Sequence, residues 1–301
     1  MIEFVTSDSK NYEGVQQQLL GTIKRHLAPD SYFDTERSKY EKKEGVLSFD
    51  LFNNGPADVL MSHGAADKNY MLRRDPDTAE RIINRRKHVF VPGPWLRDRL
   101  IASKSITLSP EQIHCVGWPR LDDLLAGYNP QPLQNRRLRV LWAPSHDYAR
   151  KGEEQLSLSS YPEFEQYLPR LKKYADVSVS LHPRNRKEKA PTTDNLLAAD
   201  FVISDFGTMV YEAWALGKPV IFPSWIIGER ILTHQKRSAE AHIFNERIGL
   251  HASSFDDVIR MIAEPPVLDS RTKAFLDSYL SPEYLGSSGK RCAELLMTLP
   301  G

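Results

Sequence analysis

Short apolar runs rich in β-branched residues alternate with longer stretches of helical spacing along the whole chain, and this alternation restricts the fold more than any other feature. In the first half, Ile2–Thr6, Val46–Leu51, Val59–His63, His88–Val91 and His114–Val116 read as strands, with helical patterns at Val15–Leu27, Thr78–Asn84 and Trp95–Ala102. The polar segment Tyr128–Arg137, with two prolines, then interrupts the series as an interdomain linker does. Beyond it the pattern restarts with strands at Leu138–Trp142, Val177–Leu181, Phe201–Ser204 and Val220–Phe222. Helices are expected at Phe164–Tyr174, where Pro169 introduces a kink, and at Gly207–Leu216, Phe255–Ala263 and Gly289–Leu299. Phe201–Ser204 and Val220–Phe222 are apolar on successive residues, as strands buried on both faces require. Val177–Leu181 alternates with serine and is expected nearer a sheet edge.

Two such series predict an α/β protein built of two Rossmann-like domains facing a cleft. The expected boundaries are 1–128 and 129–285, with a terminal helix over 286–301 that can cross back. At 301 residues the chain exceeds the roughly 250–300 at which a single core stops growing. Forty Lys and Arg against 39 Asp and Glu leave a net charge of +1, and 41% of residues are hydrophobic; this excludes a disordered tail, a collagen and a polybasic nucleic-acid wrapper. Cys115 and Cys292 form no CxxC pair, so neither a disulfide framework nor a thiolate metal cage is indicated, and a reducing, cytoplasmic compartment is expected. The longest oily stretch, Pro219–Ile227, is broken by Pro223 and Ser224, well short of the roughly 18 apolar residues of a membrane span. Met1–Thr6 leads directly into polar Ser7–Lys10 and reads as a first strand, not a secretion signal.

Ligands of open α/β sheets bind at the carboxyl ends of strands, so the residues that follow each strand are the candidates for chemistry. Ala199–Ile221 reads strand, turn, helix, glycine stop, strand. Ser204, Asp205, Gly207 and Thr208 lie at its turn, where the helix start offers backbone N–H groups and a favourable dipole to a phosphate. A plain βα turn with Asp205 or Thr208 as N-cap is the alternative. His182 followed by Arg184 ends another strand and suits anionic oxygen, or else caps a turn beside a solvated charge run. Ala143-Pro144-Ser145-His146 ends a third, either shaping a nucleotide pocket or capping the next helix. In the first half, His63 and Gly64 stand at a strand terminus with Lys68 shortly after. A histidine there can take a proton from an attacking hydroxyl, or can be a satisfied interior group. Gly117-Trp118-Pro119-Arg120-Leu121-Asp122 reads as a strand exit into a helix.

The order of these segments resembles the CDP-glycerol glycerophosphotransferase family of teichoic-acid primases and polymerases, which adopt a two-Rossmann GT-B fold. His63-Gly64 with Lys68 is similar to its HGxxxK segment, and Gly117-x-Pro119-Arg120-x-Asp122 to its GxPRxD segment. Trp142-Ala143-Pro144-Ser145 is similar to aromatic-Ala-Pro-Thr. His182-Pro183, Ala199–Ile203 with Asp205, Leu216–Val220 and Ser288-Gly289-Lys290 continue the likeness in order. Two positions depart from the pattern: Gly207-Thr208 replaces a usual Ser pair, and His146-Asp147 replaces Trp-Arg. The resemblance implies His63 as general base, with His182 also catalytic through the donor diphosphate. With the strand-end positions it gives a donor site of Ser145, Arg184, Ser204, Asp205, Gly207 and Thr208, and an acceptor side of Gly64, Lys68 and Arg120; Glu212 stands where many GT-B transferases hold a ribose, or else is a surface glutamate.

The function so implied is transfer of glycerol phosphate, or a related polyol phosphate, from a CDP-activated donor to an acceptor hydroxyl, in synthesis of a teichoic-acid-like or capsule polymer of the cell envelope. The partners implied are that donor and a lipid-linked or oligosaccharide acceptor, without nucleic acid. No cofactor is assigned. Asp75-Pro76-Asp77, the one Asp-x-Asp, follows no strand, so no metal is assigned and fixed positive charge is expected to serve. The alternatives are a GT-B glycosyltransferase using a nucleotide sugar, a nucleotide-sugar 2-epimerase, and a non-catalytic nucleotide-binding subunit. Arg81, Arg85, Arg86 and Lys87 form a basic cluster that fits either peripheral contact at the inner membrane face or a solvated helix face.

Overall fold

The computed structural model describes residues 1–130, 132–133, 136–146, 157–182, 185 and 191–301. It divides into two compact units, Met1–Ala126 with Asp277–Gly301, and Gly127–Leu276.

The first unit contains β1 (Ile2–Thr6), α1 (Glu13–Lys24), β2 (Tyr32–Glu36), β3 (Leu47–Asp50), β4 (Val59–Met61), β5 (His88–Val91), α2 (Pro94–Ile101), β6 (Ile113–Cys115) and α3 (Arg120–Ala126). Its six strands are all parallel, in the order β2-β1-β3-β4-β5-β6. Phe4, Phe49 and Phe90 interlock on one face of the sheet, with ring centroids 5.6 and 6.0 Å apart. The central strands are almost wholly buried; β4 is apolar throughout, while β1 and β3 also bury Glu3, Ser48 and Asp50. Strand β2 is half-exposed at the edge and carries a polar alternation that the run-based reading passes over.

The second unit contains β7 (Arg139–Ala143), α4 (Leu168–Leu171), β8 (Asp176–Val179), α5 (Thr192–Ala198), β9 (Phe201–Ser204), α6 (Thr208–Ala215), β10 (Val220–Pro223), α7 (Ser224–His234), α8 (Ala239–Asn245), β11 (Leu250–Ala252), α9 (Phe255–Ala263) and most of α10 (Ser270–Tyr279). Its five parallel strands run β11-β10-β9-β7-β8. Strand β8, the serine-alternating one, is at the sheet edge. Trp142 is buried against Phe164 at 5.4 Å, and its indole N–H donates to Ser160 Oγ at 3.3 Å.

Two expected helices take other forms. Over 78–84 the Asp75 carboxylate accepts the N–H groups of Asp77 and Thr78, Ala79 adopts a left-handed conformation (φ 59°), and Arg74 bridges to Arg81. These contacts compete with a helix, and only Ile82–Arg85 forms a single 3-10 turn. Over 164–174 the helix is split: Glu163–Tyr167 is 3-10, and Pro169 falls in the first turn of the short α4, where a missing N–H is tolerated. The basic cluster is also broken up. Arg86 is only 4% exposed, and its guanidinium donates to the carbonyls of Gly55 (2.6 Å), Asn53 (3.2 Å) and Phe52 (3.3 Å) while facing Asp50 at 3.4 Å. Among the described residues, no helix is long and apolar enough to cross a membrane.

The final helix, α11 (Ser288–Thr298), packs on the first unit against α1 and α3. Asp122 on α3 receives the N–H groups of Ser288 and Gly289 at 2.9 and 2.7 Å, satisfying donors that the start of a helix otherwise leaves unpaired. The segments Gly117–Asp122 and Ser288–Lys290 thus meet as parts of one helix junction. Gly117 (φ 76°) sits so close that a Cβ would lie 2.2 Å from Ser288 Oγ, and a Cβ on Gly289 would lie 2.5 Å from the Thr22 carbonyl oxygen. Gly289→Ala is therefore expected to destabilise the protein by about 1–3 kcal/mol through overpacking. Gly21→Ala, inside α1 with nothing within 4 Å of its Cβ, is expected to be neutral or stabilising by up to about 1 kcal/mol. Denaturant midpoints of the two variants against the parent check the contrast.

Candidate functional site

In the first unit the polar strand ends converge on His63, two residues past β4. Its imidazole stacks on Phe52 (5.0 Å, 26°) and meets Tyr70 and Tyr12 edge-on at 5.2 and 5.8 Å, so three aromatic rings enclose it. Burial lowers its pKa to about 4, helped by the charges of Lys68 and Arg73, while the Leu51 carbonyl pulls the other way. The ring is accordingly neutral near pH 7, the form that accepts a proton. Tyr70 is itself held in place: its hydroxyl accepts the Asn53 N–H at 2.8 Å, and burial raises its pKa to about 12.

The loop carrying Phe52 is fixed from below by Asp50 and Arg86. Burial raises the Asp50 carboxyl to about 6 against the pull of Arg86, Arg37 and the amides of Ala57 and Phe52. Gly55 passes so near that a Cβ would sit 1.8 Å from Asp50 Oδ2. Beyond His63, the Gly64 N–H donates to Ser62 Oγ at 3.2 Å. Lys68 is exposed on a left-handed turn (φ 45°, with Asn69 at 53°). Arg99 braces that turn with a two-pronged contact to Asp67 at 2.6 and 2.8 Å and another to Asn69. Arg120 opens α3 after β6, so strand β5 lies between its strand and that of His63.

In the second unit, the strand order β9-β7-β8 sets three strand ends side by side. These carry Ser204–Thr208, Ser145-His146 and His182. Four of the expected donor ligands are interior groups. Ser204 Oγ donates to the Ala143 carbonyl at 2.7 Å, tying β9 to β7. Asp205, wholly buried, accepts the Ser145 N–H (2.7 Å), the Ser145 hydroxyl (3.1 Å) and the Ser160 N–H (3.0 Å) on one oxygen. Burial raises its pKa against those donors. Ser145 also donates to the Leu158 carbonyl at 3.2 Å, and Glu212 is fully buried on α6.

Half-exposed positions are held by His146, His182 and Thr208, beside Gly207, whose φ of 104° is open to glycine and strained for other residues. The His146 and His182 rings stack at 5.0 Å and 25°, and His146 Nδ1 is 2.8 Å from Asn185 Oδ1. Arg184 lies outside the described residues. At the next strand end, Ser224 Oγ is 3.0 Å from His251 Nδ1, and His251 Nε2 is 3.0 Å from the Ile248 carbonyl. Among the described residues, no group of three or more His, Cys, Asp or Glu is placed to hold a metal.

Sequence reasoning missed Phe52 and Tyr12, which come from other loops, and Tyr70 and Arg73, which share the β4–β5 connection with His63 but are brought back to it only by the turn at Tyr70–Leu72. It placed His146 at a strand exit beside Ser145 but gave it no role of its own.

No protein-family model matches the chain, and no curated protein matches it in sequence. Solved structures do match its fold. The wall teichoic acid polymerase TagF superposes with a TM-score of 0.59 at 14% identity, over 98% of this chain and 88% of that one. A TagF variant soaked with CDPG gives 0.57 at 12% identity over the same shares. A UDP-GlcNAc 2-epimerase from Neisseria meningitidis, bound to UDP-GlcNAc, gives 0.54 at 12% identity over 99% of this chain and all of that one. The chain therefore has the α/β fold of these GT-B-like enzymes, with an all-parallel sheet in each unit.

The environment of His63 makes a pH prediction. Its folded pKa of about 4 lies below the ordinary 6.5, so the unfolded chain takes up the proton first as pH falls. The stability linked to the neutral ring is complete above pH 6.5 and is lost towards pH 4, by about 3 kcal/mol. His63→Gln lacks this dependence, so the stability gap between parent and variant is expected to shrink by about that amount from pH 7 to pH 4. The opposite trend from Asp50 is common to both proteins. Urea unfolding at several pH values checks it, and a pH-independent gap would refute the neutral-ring assignment.

Proposed function

We propose that the chain is a transferase that moves glycerol phosphate, or a related polyol phosphate, from a CDP-linked donor to an acceptor hydroxyl during assembly of a cell-surface polymer. The observation that carries this reading is His63: a neutral imidazole in an aromatic enclosure at the carboxyl edge of a parallel sheet, with Lys68 and Arg73 beside it. The likeness in fold to TagF, including the CDPG-soaked form, supports the choice of donor.

In this reading the first unit supplies the base and the second the donor site. His63 takes the proton of the acceptor hydroxyl, whose oxygen attacks the phosphorus that bears glycerol. The new O–P bond forms as the bond to the CMP oxygen breaks, and CMP leaves with the electron pair. His182 and the start of α6 at Gly207-Thr208 stabilise the charge that develops on the departing phosphate. Burial is the main cause of the lowered His63 pKa; an anionic acceptor near Lys68 and Arg73 would offset only the smaller part that their charges contribute. The interior groups Ser145, Ser204 and Asp205 hold the strand ends on which the ligands stand.

A second reading, chemistry at a UDP-linked sugar, has the support of the epimerase of the same fold bound to UDP-GlcNAc. Fold alone does not separate the two. Thermal unfolding with CMP, CDP, CDP-glycerol, UDP and GDP does. A ligand at about 100 times its Kd adds roughly 2.7 kcal/mol of apparent stability. Cytidine nucleotides are expected to stabilise the protein, and CMP to be released from CDP-glycerol. His63→Ala is expected to lower turnover by about 10²–10⁴-fold while keeping CDP affinity. A response confined to UDP or GDP would overturn the glycerol-phosphate reading.

A further inference from the structure

We infer that His146 and His182 form a paired imidazole receptor for the diphosphate of a nucleoside diphosphate, with His146 a donor ligand in its own right; this rests on the donor site proposed above. Strands β7 and β8 pair in parallel with Trp142 opposite Val179, which brings their exits level at the carboxyl edge of the sheet. Adjacent strands lie about 4.8 Å apart. The two rings stand at nearly that spacing, 5.0 Å between centroids and 25° from parallel, so each can face one phosphate of a two-phosphate ligand.

His146 is fixed by contacts on both sides. Its backbone follows Ser145, which Asp205 holds by its N–H and its hydroxyl. Its Nδ1 is 2.8 Å from Asn185 Oδ1, and Asn185 is tied to the same strand exit by its N–H on the His182 carbonyl at 2.8 Å. With Oδ1 accepting, Nδ1 carries the proton and the lone pair of the neutral ring falls on Nε2. Protonation at Nε2 then yields a donor directed by the Asn185 contact.

Core packing does not account for the pair, because both rings are half-exposed, unlike the buried Ser145, Ser204 and Asp205 beneath them. A polyanion spanning both rings can accept a hydrogen bond from each. On the other side of β7, the end of β9 places Gly207 and Thr208 at the start of α6. The same ligand there meets a helix N-terminus of eight residues and a hydroxyl.

The test is calorimetric titration of the full-length protein and its His146→Ala, His146→Gln, His146→Asn and His182→Ala variants with CDP and CMP. His146→Ala and His182→Ala are each expected to weaken CDP by about tenfold or more, and CMP by much less, so that the preference for the diphosphate collapses. Gln, whose amide reaches the Nε2 position, is expected to retain more CDP affinity than Asn, which reproduces only Nδ1. Parent-like CDP affinity in His146→Ala, equal losses for CDP and CMP, or full rescue by Asn would each overturn the inference while leaving the donor site standing. Failure of the parent to bind CDP, UDP or GDP would instead overturn the functional reading, and this inference with it.

Discussion

A carboxylate withdrawn from water at the end of a parallel strand must be met by donors, and in both units the donors come from the loops that carry the candidate chemistry. Asp50 closes β3 and is faced by Arg86, whose guanidinium gathers the carbonyls of Phe52, Asn53 and Gly55. Asp205 follows β9 and gathers Ser145 and Ser160. Each carboxylate fixes a backbone that would otherwise be a surface loop, and a candidate site residue stands on or against that backbone. Phe52, stacked on His63, belongs to the loop held through Asp50, and His146 follows the serine held by Asp205. Removing either carboxylate would therefore act on the site through loop position, without touching a ligand.

This arrangement separates two kinds of polar residue that a strand-end motif presents together. Ser204, Asp205 and Thr208 lie within five residues, yet the first two face inward and only Thr208 reaches the half-exposed rim. The alternation follows from the sheet. A fully buried strand needs its last polar groups satisfied by neighbouring strands, and the helix that follows turns the chain towards the edge where ligands bind. Ser204 bonded to the Ala143 carbonyl and Asp205 bonded to Ser145 meet the first need, and Gly207 with its left-handed φ makes the turn.

Strand positions were legible wherever burial on both faces made the run continuously apolar, as at Phe201–Ser204 and His88–Val91. Strands β2 and β11, each at a sheet edge, were not. Tyr32–Glu36 is half polar because half of it faces water, and Leu250–Ala252 is three residues long. Helices α5, α7, α8 and α10 escaped a reading centred on motifs, and the helical pattern over Thr78–Asn84 lost to local side-chain bonds from Asp75. Of the candidate site, the strand-end histidines could be read from position alone. The aromatic enclosure of His63 could not, since Tyr12, Phe52 and Tyr70 are drawn together only by the packing of separate loops.

The same physics sets how readily His63 takes a proton. Enclosing His63 among aromatic rings keeps it neutral and a weak base chiefly through burial, with the charges of Lys68 and Arg73 adding to the effect. Because the rings of Tyr12, Phe52 and Tyr70 supply that burial, the proton affinity of His63 is set by the packing of separate loops more than by any one charged neighbour, and loosening Phe52 would change it without altering a charge.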